Sequence, residues 1–142
     1  MYKYRSGFER EFAKRLKKLK IPFKYEFKKF PWKKRQTINK VLREAHGIPE
    51  DHNLCTYHLY TVDFTFEQIG LHLELKGRFK SSDRTKIINV IEQHPDADIR
   101  MVFQRNNKIH PGSRTTYADW CKKRNIPYCV GKVPMSWLTG EE

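Results

Sequence analysis

The sequence predicts a single α/β domain in which a mixed β-sheet is flanked by helices. Its 142 residues, 38% of them apolar, suffice for one hydrophobic core and are too few for two large domains. Residues 57–76 alternate in the manner of a β-hairpin, and residues 71–103 follow a strand, helix, strand order. The latter order gives parallel strands, so we expect a sheet that mixes antiparallel and parallel pairs.

The N-terminal segment predicts a helix followed by a strand. Ser6 and Glu9 have the spacing of a capping box, and apolar residues then recur at helical intervals at positions 8, 12, 16 and 19. The helix is expected over residues 7–20, because the proline at position 22 ends it. Alternating aromatic and charged residues over 23–27 predict a half-buried strand.

Residues 33–56 are interpreted as an inserted linker that begins with the basic turn Lys33-Lys34-Arg35. A short helix is expected within it, with Thr37 as its N-cap and an apolar face made by Ile38, Val41, Leu42 and Ala45. His52, Cys55 and His58 recur every third residue, which suggests a zinc site or a fragment of an HNH nuclease motif. Their spacing matches neither, so we favour a solvated linker.

The remainder of the chain predicts the sheet and its crossovers. Strands are expected at 57–66, 71–76, 99–103 and 127–130. Helices are expected from Ser82 or Asp83 to His94, from the candidate N-cap Thr116, and as a turn over 134–138. The helix ending at His94 would connect two parallel strands.

The charge of the chain is strongly positive and concentrated at one end. Lys and Arg total 29 against 16 acids, a net charge of +13, and residues 1–35 hold 14 of these bases with only three acids. A solubilising surface is the alternative, but such an excess favours a polyanionic partner, namely nucleic acid. The candidate DNA-contacting residues are Arg5, Lys14, Lys17, Lys18, Lys33, Lys34 and Arg35, with Arg78 and Arg84 further along the chain.

The composition gives no sign of a membrane or secreted protein. No apolar run approaches the length of a membrane span, and the first residues lack the apolar core of a signal peptide. The three cysteines form no Cys-x-x-Cys pair, which disfavours a disulfide framework and a four-cysteine zinc site. We therefore expect a soluble protein of the cytoplasm, the host's cytoplasm if a phage encodes it.

The residues most suggestive of chemistry are Asp63, Glu74 and Lys76. In the predicted strand 71–76, Glu74 and Lys76 point to the face opposite the leucines, and Asp63 can meet Glu74 across the hairpin. Two adjacent carboxylates attract a divalent cation such as Mg²⁺, which suits phosphodiester cleavage with the lysine stabilising developing charge. A structural ion-pair cluster remains the alternative on this spacing alone.

The pattern of these residues resembles that of a known family, the phage endonuclease I group. This group consists of Holliday junction resolvases and belongs to the PD-(D/E)xK nucleases. The resemblance keeps the family's order along nearly the whole chain. It is carried by Arg5-Ser6-Gly7-Phe8-Glu9, Tyr25-Glu26, Val62-Asp63-Phe64, Glu74-Leu75-Lys76-Gly77, Ser82-Asp83-Arg84, Glu92-Gln93-His94-Pro95, Asp98 to Phe103 and Tyr117 to Trp137.

The resemblance implies a restriction-endonuclease-like fold over residues 1–142 and a site with two Mg²⁺ ions, for which Mn²⁺ could substitute. In that site Asp63 would bridge the metals, Glu74 and the carbonyl of Leu75 would ligate one, and Glu9 would help to hold the other. Lys76 would be the catalytic lysine. Without the resemblance, Glu9 would be interpreted as a helix cap.

The resemblance further implies a homodimer that cuts branched DNA and leaves 5′-phosphate ends, with the first helix exchanged between chains. Two features depart from the family pattern: Val62 replaces a proline before the catalytic aspartate, and the 33–56 segment is longer. The longer 33–56 segment affects the expected exchange of the first helix between chains and the choice of DNA substrate. A site-specific duplex endonuclease of the homing or restriction type, and a non-catalytic DNA-binding module, are the alternatives.

Overall fold

The computed structural model describes residues 3–35, 40–48 and 55–141, and it confirms the predicted fold class. The chain forms a single α/β domain with a mixed sheet flanked by helices. Its elements are α1 (Gly7–Lys18), β1 (Lys24–Tyr25), β2 (Lys29–Arg35), α2 (Lys40–Ala45), β3 (Cys55–Thr61), β4 (Phe64–Phe66), β5 (Leu71–Lys76), α3 (Ser81–Gln93), β6 (Asp98–Phe103), α4 (Tyr117–Lys123), β7 (Tyr128–Val130) and α5 (Met135–Thr139). Among the described residues, no helix is long and apolar enough to cross a membrane.

The main sheet has five strands in the order β1-β4-β5-β6-β7. β1, β4 and β5 pair antiparallel, whereas β5, β6 and β7 are parallel. The predicted crossover is confirmed, because α3 connects β5 to β6. The carboxyl ends of β5 and β6 therefore lie side by side, with Lys76 opposite Phe103.

Two hydrophobic clusters cover the two faces of this sheet. Side chains alternate along a strand, so Met101 of β6 packs into the cluster formed with α3 and α4, while Val102 packs into the cluster formed with α1. The predicted leucine face of β5 packs against α1, where Phe12 and Leu16 are buried. α1 thus covers the leucine face of β5, whereas α3 and α4 pack on the opposite face of the sheet against β6.

A separate two-stranded ribbon, β2 with β3, overturns two sequence predictions. Lys33-Lys34-Arg35 is the end of β2 and not a turn, because these residues pair with residues 55–57 of β3. The strand expected over 57–66 is interrupted at Val62 and Asp63, so β3 belongs to the ribbon and only β4 forms the hairpin with β5. Local alternation does not reveal that the segment 57–66 pairs first with β2 and then, after Asp63, with β5.

The first strand is also shorter than the 23–27 predicted. Glu26 adopts a left-handed conformation with φ +48°, which takes the chain out of β1 after Tyr25. The backbone N–H of Glu26 then donates to the carbonyl of Asp63 at 2.9 Å. α1 similarly ends two residues earlier than predicted, at Lys18.

The ribbon is tied to α3, whereas α2 is not packed on the core. The side chain of Gln93 forms two 2.8 Å hydrogen bonds with the backbone of Lys33, and His94 contacts the carbonyl of Pro31 at 2.6 Å. The helix predicted in the 33–56 segment exists as α2, but Val41 is 73% exposed, so its expected apolar face is not buried. Thr37, Ile38 and His52 lie outside the described residues.

Candidate active site

The interruption between β3 and β4 places Asp63 beside the end of β5. Its Oδ2 accepts a hydrogen bond from the backbone N–H of Leu75 at 2.8 Å. Glu74 precedes Leu75 and is only 2% exposed. Carboxylates are rarely buried to this degree unless they are paired. The structure therefore brings Asp63 and Glu74 together, as their positions on the predicted hairpin suggested.

The electrostatics of this pair favour an added positive charge. Burial, reinforced by the adjacent negative charge of Glu74, raises the pKa of Asp63 to about 9. The backbone N–H of Leu75 and the ammonium of Lys76 act in the opposite direction but do not cancel this effect. Without a cation, burial and the charge of Glu74 favour the protonated form of the Asp63 carboxyl.

Glu9 completes the cluster from α1. Ser6 caps the helix by accepting from the N–H of Glu9 at 3.1 Å, which fixes the backbone of this residue at the edge of the site. The carboxylate itself accepts hydrogen bonds from the hydroxyls of Tyr25 at 2.6 Å and Ser6 at 3.1 Å. Burial, together with the charges of Asp63 and Glu26, raises the pKa of Glu9.

Glu26 is a site residue that sequence reasoning missed. One carboxylate oxygen from each of Glu9, Glu26 and Asp63 lies within 4.8 Å of the others. The left-handed turn at Glu26 directs it there, and Arg5 pairs with it at 2.6 Å. One signal was available in the sequence, since Glu26 is the only acid among the bases between Lys24 and Lys29.

Lys76 lies beside the carboxylates and contacts Asp83, which the sequence indicated as a helix start but not as a site residue. Its Nζ is 3.4 Å from Oδ1 of Asp83, in the first turn of α3. The other oxygen of Asp83 accepts from the backbone N–H of Lys80 at 3.0 Å. Asp83 is thereby fixed by the helix start while it contacts the lysine.

Tyr60 of β3 is buried beside Glu74. Complete burial, followed by the charges of Glu74 and Asp63, keeps the pKa of its hydroxyl well above the usual range. The hydroxyl lies close to Glu74, but no hydrogen bond of good geometry forms with any described residue. It is a neutral donor next to an acidic cluster.

The donor set fits a divalent metal ion. Carboxylates and a backbone carbonyl are the oxygen ligands that Mg²⁺ prefers, and Glu9, Asp63, Glu74 and Leu75 can supply them. Burial and the adjacent Glu74 raise the pKa of Asp63 despite the ammonium of Lys76, so a bound cation would favour its charged form. A cation at this point would relieve their repulsion.

The candidate DNA-contacting bases are dispersed over several surfaces. Arg5 lies at the carboxylates, while Lys14, Lys17 and Lys18 project from the exposed side of α1. Lys33, Lys34 and Arg35 are exposed at the end of the ribbon. Arg78 is exposed just beyond β5, and half-buried Arg84 donates to the carbonyl of Phe79 at 2.7 Å.

Comparisons with known proteins identify the family of this chain. The family model for phage endonuclease I matches residues 1–142. The chain is 35% identical to endodeoxyribonuclease 1 of Enterobacteria phage T3 over 134 residues, which are 94% of this chain and 75% of that protein. It is 34% identical to endonuclease I of Escherichia phage T7 over 136 residues, 95% of this chain and 78% of that protein. The chain therefore belongs to the phage endonuclease I family.

Proposed function

We propose that this protein is a metal-dependent endodeoxyribonuclease that resolves branched DNA, including four-way junctions, in the cytoplasm of a phage-infected cell. The observation that carries the proposal is the convergence of Asp63, Glu74 and Lys76 at the end of β5, with the Asp63 carboxylate hydrogen-bonded to Leu75. The relatives named endodeoxyribonuclease 1 and endonuclease I support DNA as the substrate.

In this proposal Glu9, Asp63, Glu74 and the carbonyl of Leu75 hold two Mg²⁺ ions, for which Mn²⁺ can substitute. When bound, the ions neutralise phosphate charge and make a water molecule a better nucleophile at neutral pH. Cleavage leaves a 5′-phosphate and a 3′-hydroxyl. The buried hydroxyl of Tyr60 lies beside the acidic cluster, and burial with the charge of Glu74 holds its pKa well above the usual range.

Lys76 is the cationic partner of the reacting phosphate. It is the last residue of β5, and its ammonium is close enough to lower the pKa of Asp63. Oδ1 of Asp83 lies 3.4 Å from that ammonium. A lysine held in this way can stabilise charge that develops on the phosphate with little reorganisation.

Symmetric cleavage of a four-way junction requires two sites, which a two-fold homodimer supplies. Glu9 and Glu26 both precede β2, whereas Asp63, Glu74 and Lys76 all follow it. An exchange of the N-terminal elements at β2 would therefore move both acids together into the partner's site. We propose such a domain-swapped homodimer as the active form.

The test is a gel assay with an end-labelled four-way junction and a linear duplex of matched sequence, each in Mg²⁺ and in EDTA. Paired, metal-dependent nicks near the branch, with 5′-phosphate ends and the duplex spared, are expected. Cuts confined to the duplex would indicate a site-specific endonuclease instead. Intact DNA in both Mg²⁺ and Mn²⁺, with tight binding, would indicate a binding module.

Glu74→Gln separates catalysis from binding. The substitution keeps the shape of a buried side chain and removes the charge of a metal ligand, so cleavage should fall at least 100-fold. Junction binding in EDTA should stay within a few-fold, because Glu74 is not on the basic surface. An equal loss of both properties would show that the carboxylate supports the fold and not the reaction.

A further inference from the structure

A basic groove of about 850 Å³ lies beside the candidate active site. One wall is the segment that leaves β5 and starts α3, and the other is the loop of residues 104–116 between β6 and α4. Its cationic lining side chains are Arg78, Lys80, Arg84 and Lys108, and among the described residues no Asp or Glu lines it. A concave surface with one sign of charge attracts a polyanion more strongly than scattered lysines do.

The groove begins where the reaction would take place. Arg78 follows Lys76 by two residues, and the backbone N–H of Gln104 donates to the carbonyl of Lys76 at 3.0 Å. The two walls therefore diverge from the end of β5. The groove lining thus starts two residues after Lys76 in the chain.

The 104–116 loop is built by its own hydrogen bonds. The N–H of Ile109 donates to the carbonyl of Thr115 at 2.9 Å, and Tyr117 donates to Asn107 at 2.9 Å. Lys108 also forms a β-bridge with Thr116. A long surface loop with this much internal order is characteristic of binding loops.

Arg84 joins the two walls. Its Nη1 donates to the carbonyl of Phe79 at 2.7 Å on one wall and to the carbonyl of Ile109 at 3.4 Å on the other. Both bonds come from one nitrogen of the guanidinium and end on backbone carbonyls. Arg84 thus connects the two walls, and the exposed Lys108 lies on the far wall.

We propose that this groove binds the phosphodiester backbone of the DNA arm next to the cleaved bond, with Lys108 as a phosphate contact. The inference rests on the proposed nuclease function, and it adds a residue outside the basic N-terminal region. Arg78 and Lys80 contact phosphates from the near wall. Arg84 positions the walls and contributes mainly through them.

The experiment measures binding of a fluorescent four-way junction by Glu74→Gln protein in EDTA between 50 and 200 mM salt. Adding Lys108→Ala should lower the slope of log affinity against log salt by about 0.9, the value for one lost phosphate contact. Lys123→Ala, an exposed lysine on α4 outside the groove lining, is the charge-matched control and should leave the slope unchanged. Equal effects of the two substitutions would overturn the proposal.

A second measurement fixes the location of the contact. The junction arms are shortened stepwise, and the loss of affinity caused by Lys108→Ala should disappear once an arm is too short to enter the groove. A loss that persists at every arm length would mean that Lys108 acts through net charge, which would also overturn the proposal. Thermal unfolding of the Lys108→Ala variant checks that its fold is unchanged.

The outcome is separable from that of the proposed activity. Binding is measured without metal and without cleavage, so a junction that needs Lys108 but is never cut would refute the resolvase and leave the groove intact. Conversely, normal junction cleavage by Lys108→Ala, with an unchanged salt slope, would refute the groove and leave the resolvase intact.

Discussion

Burial and the charge of Glu74 favour the protonated form of Asp63 in the folded, metal-free protein more than in the unfolded chain. An ordinary Asp carboxyl has a pKa of about 3.9, whereas burial and Glu74 raise the pKa of Asp63 to about 9. Between these values the folded state binds more protons than the unfolded state. The contribution of Asp63 to stability is therefore lost progressively as the pH rises from about 4 to about 9.

Asp63→Asn should consequently stabilise the metal-free protein. Relative to wild type, its free energy of unfolding should improve between pH 5 and pH 8 by an amount on the order of 4 kcal/mol, because both pH values lie between the unfolded and folded pKa of Asp63. The measurement is urea unfolding in EDTA at both pH values. The same improvement at both pH values would mean that the Asp63 carboxyl titrates normally. The Asp63→Asn variant should also be inactive as a nuclease, because it lacks a proposed metal ligand.

Asp83 is expected to position Lys76. Asp83→Asn keeps an oxygen for the backbone N–H of Lys80 but loses the charge that faces the ammonium 3.4 Å away. The rate of cleavage should fall about 10-fold with junction affinity and the thermal midpoint unchanged, as for other residues that orient a site. Single-turnover kinetics and binding in EDTA distinguish these effects.

A matched control exists on α4. Asp119 occupies the corresponding position of that helix and accepts from the backbone N–H of Thr116 at 3.1 Å, but it contacts no described site residue. Asp119→Asn should leave cleavage unchanged. If both substitutions slow the reaction alike, Asp83 is only a helix cap.

At the level of elements, the start of α1 serves the fold and the site together. Ser6 caps the helix and also donates to the carboxylate of Glu9. Ser6→Ala should therefore cost about 1 kcal/mol of stability. It should also weaken Mg²⁺ binding several-fold, because Glu9 loses one of the two hydroxyls that orient it.

Thr116→Ala provides the comparison for Ser6→Ala. Its side chain caps α4 through the N–H of Asp119 at 3.2 Å, in a helix that carries no metal ligand. The cost in stability should be similar, and Mg²⁺ affinity by titration calorimetry should match that of wild type. Equal weakening of Mg²⁺ binding in both would place Glu9 outside the metal site.

At the scale of the whole molecule, the fold distributes the positive charge over several elements. Bases from α1, the ribbon and the groove lie on different elements, and the net charge is +13. Contacts with six or more phosphates would make junction affinity fall at least about 10³-fold between 50 and 200 mM salt. Fluorescence anisotropy with Glu74→Gln protein measures this. A decrease of less than tenfold would contradict a charge-driven DNA interface.

Local patterns in the sequence determined most of the elements and the candidate catalytic residues. The cap at Ser6, the helix ending at His94 and the alternation of β5 are short-range signals, because they depend on neighbours within one or two turns or strand steps. They were sufficient to predict the α/β class and the crossover. They also predicted that Asp63 and Glu74 lie close to Lys76.

Only the tertiary structure decided which strands pair and which further side chains converge. β3 pairs with β2 instead of extending the hairpin with β5, and this break leaves Asp63 free to meet Leu75. Glu26 and Asp83 reach the site through a left-handed turn and a helix start on separate elements. Pairing and convergence depend on contacts between distant residues, and the local periodicity of a sequence does not contain them.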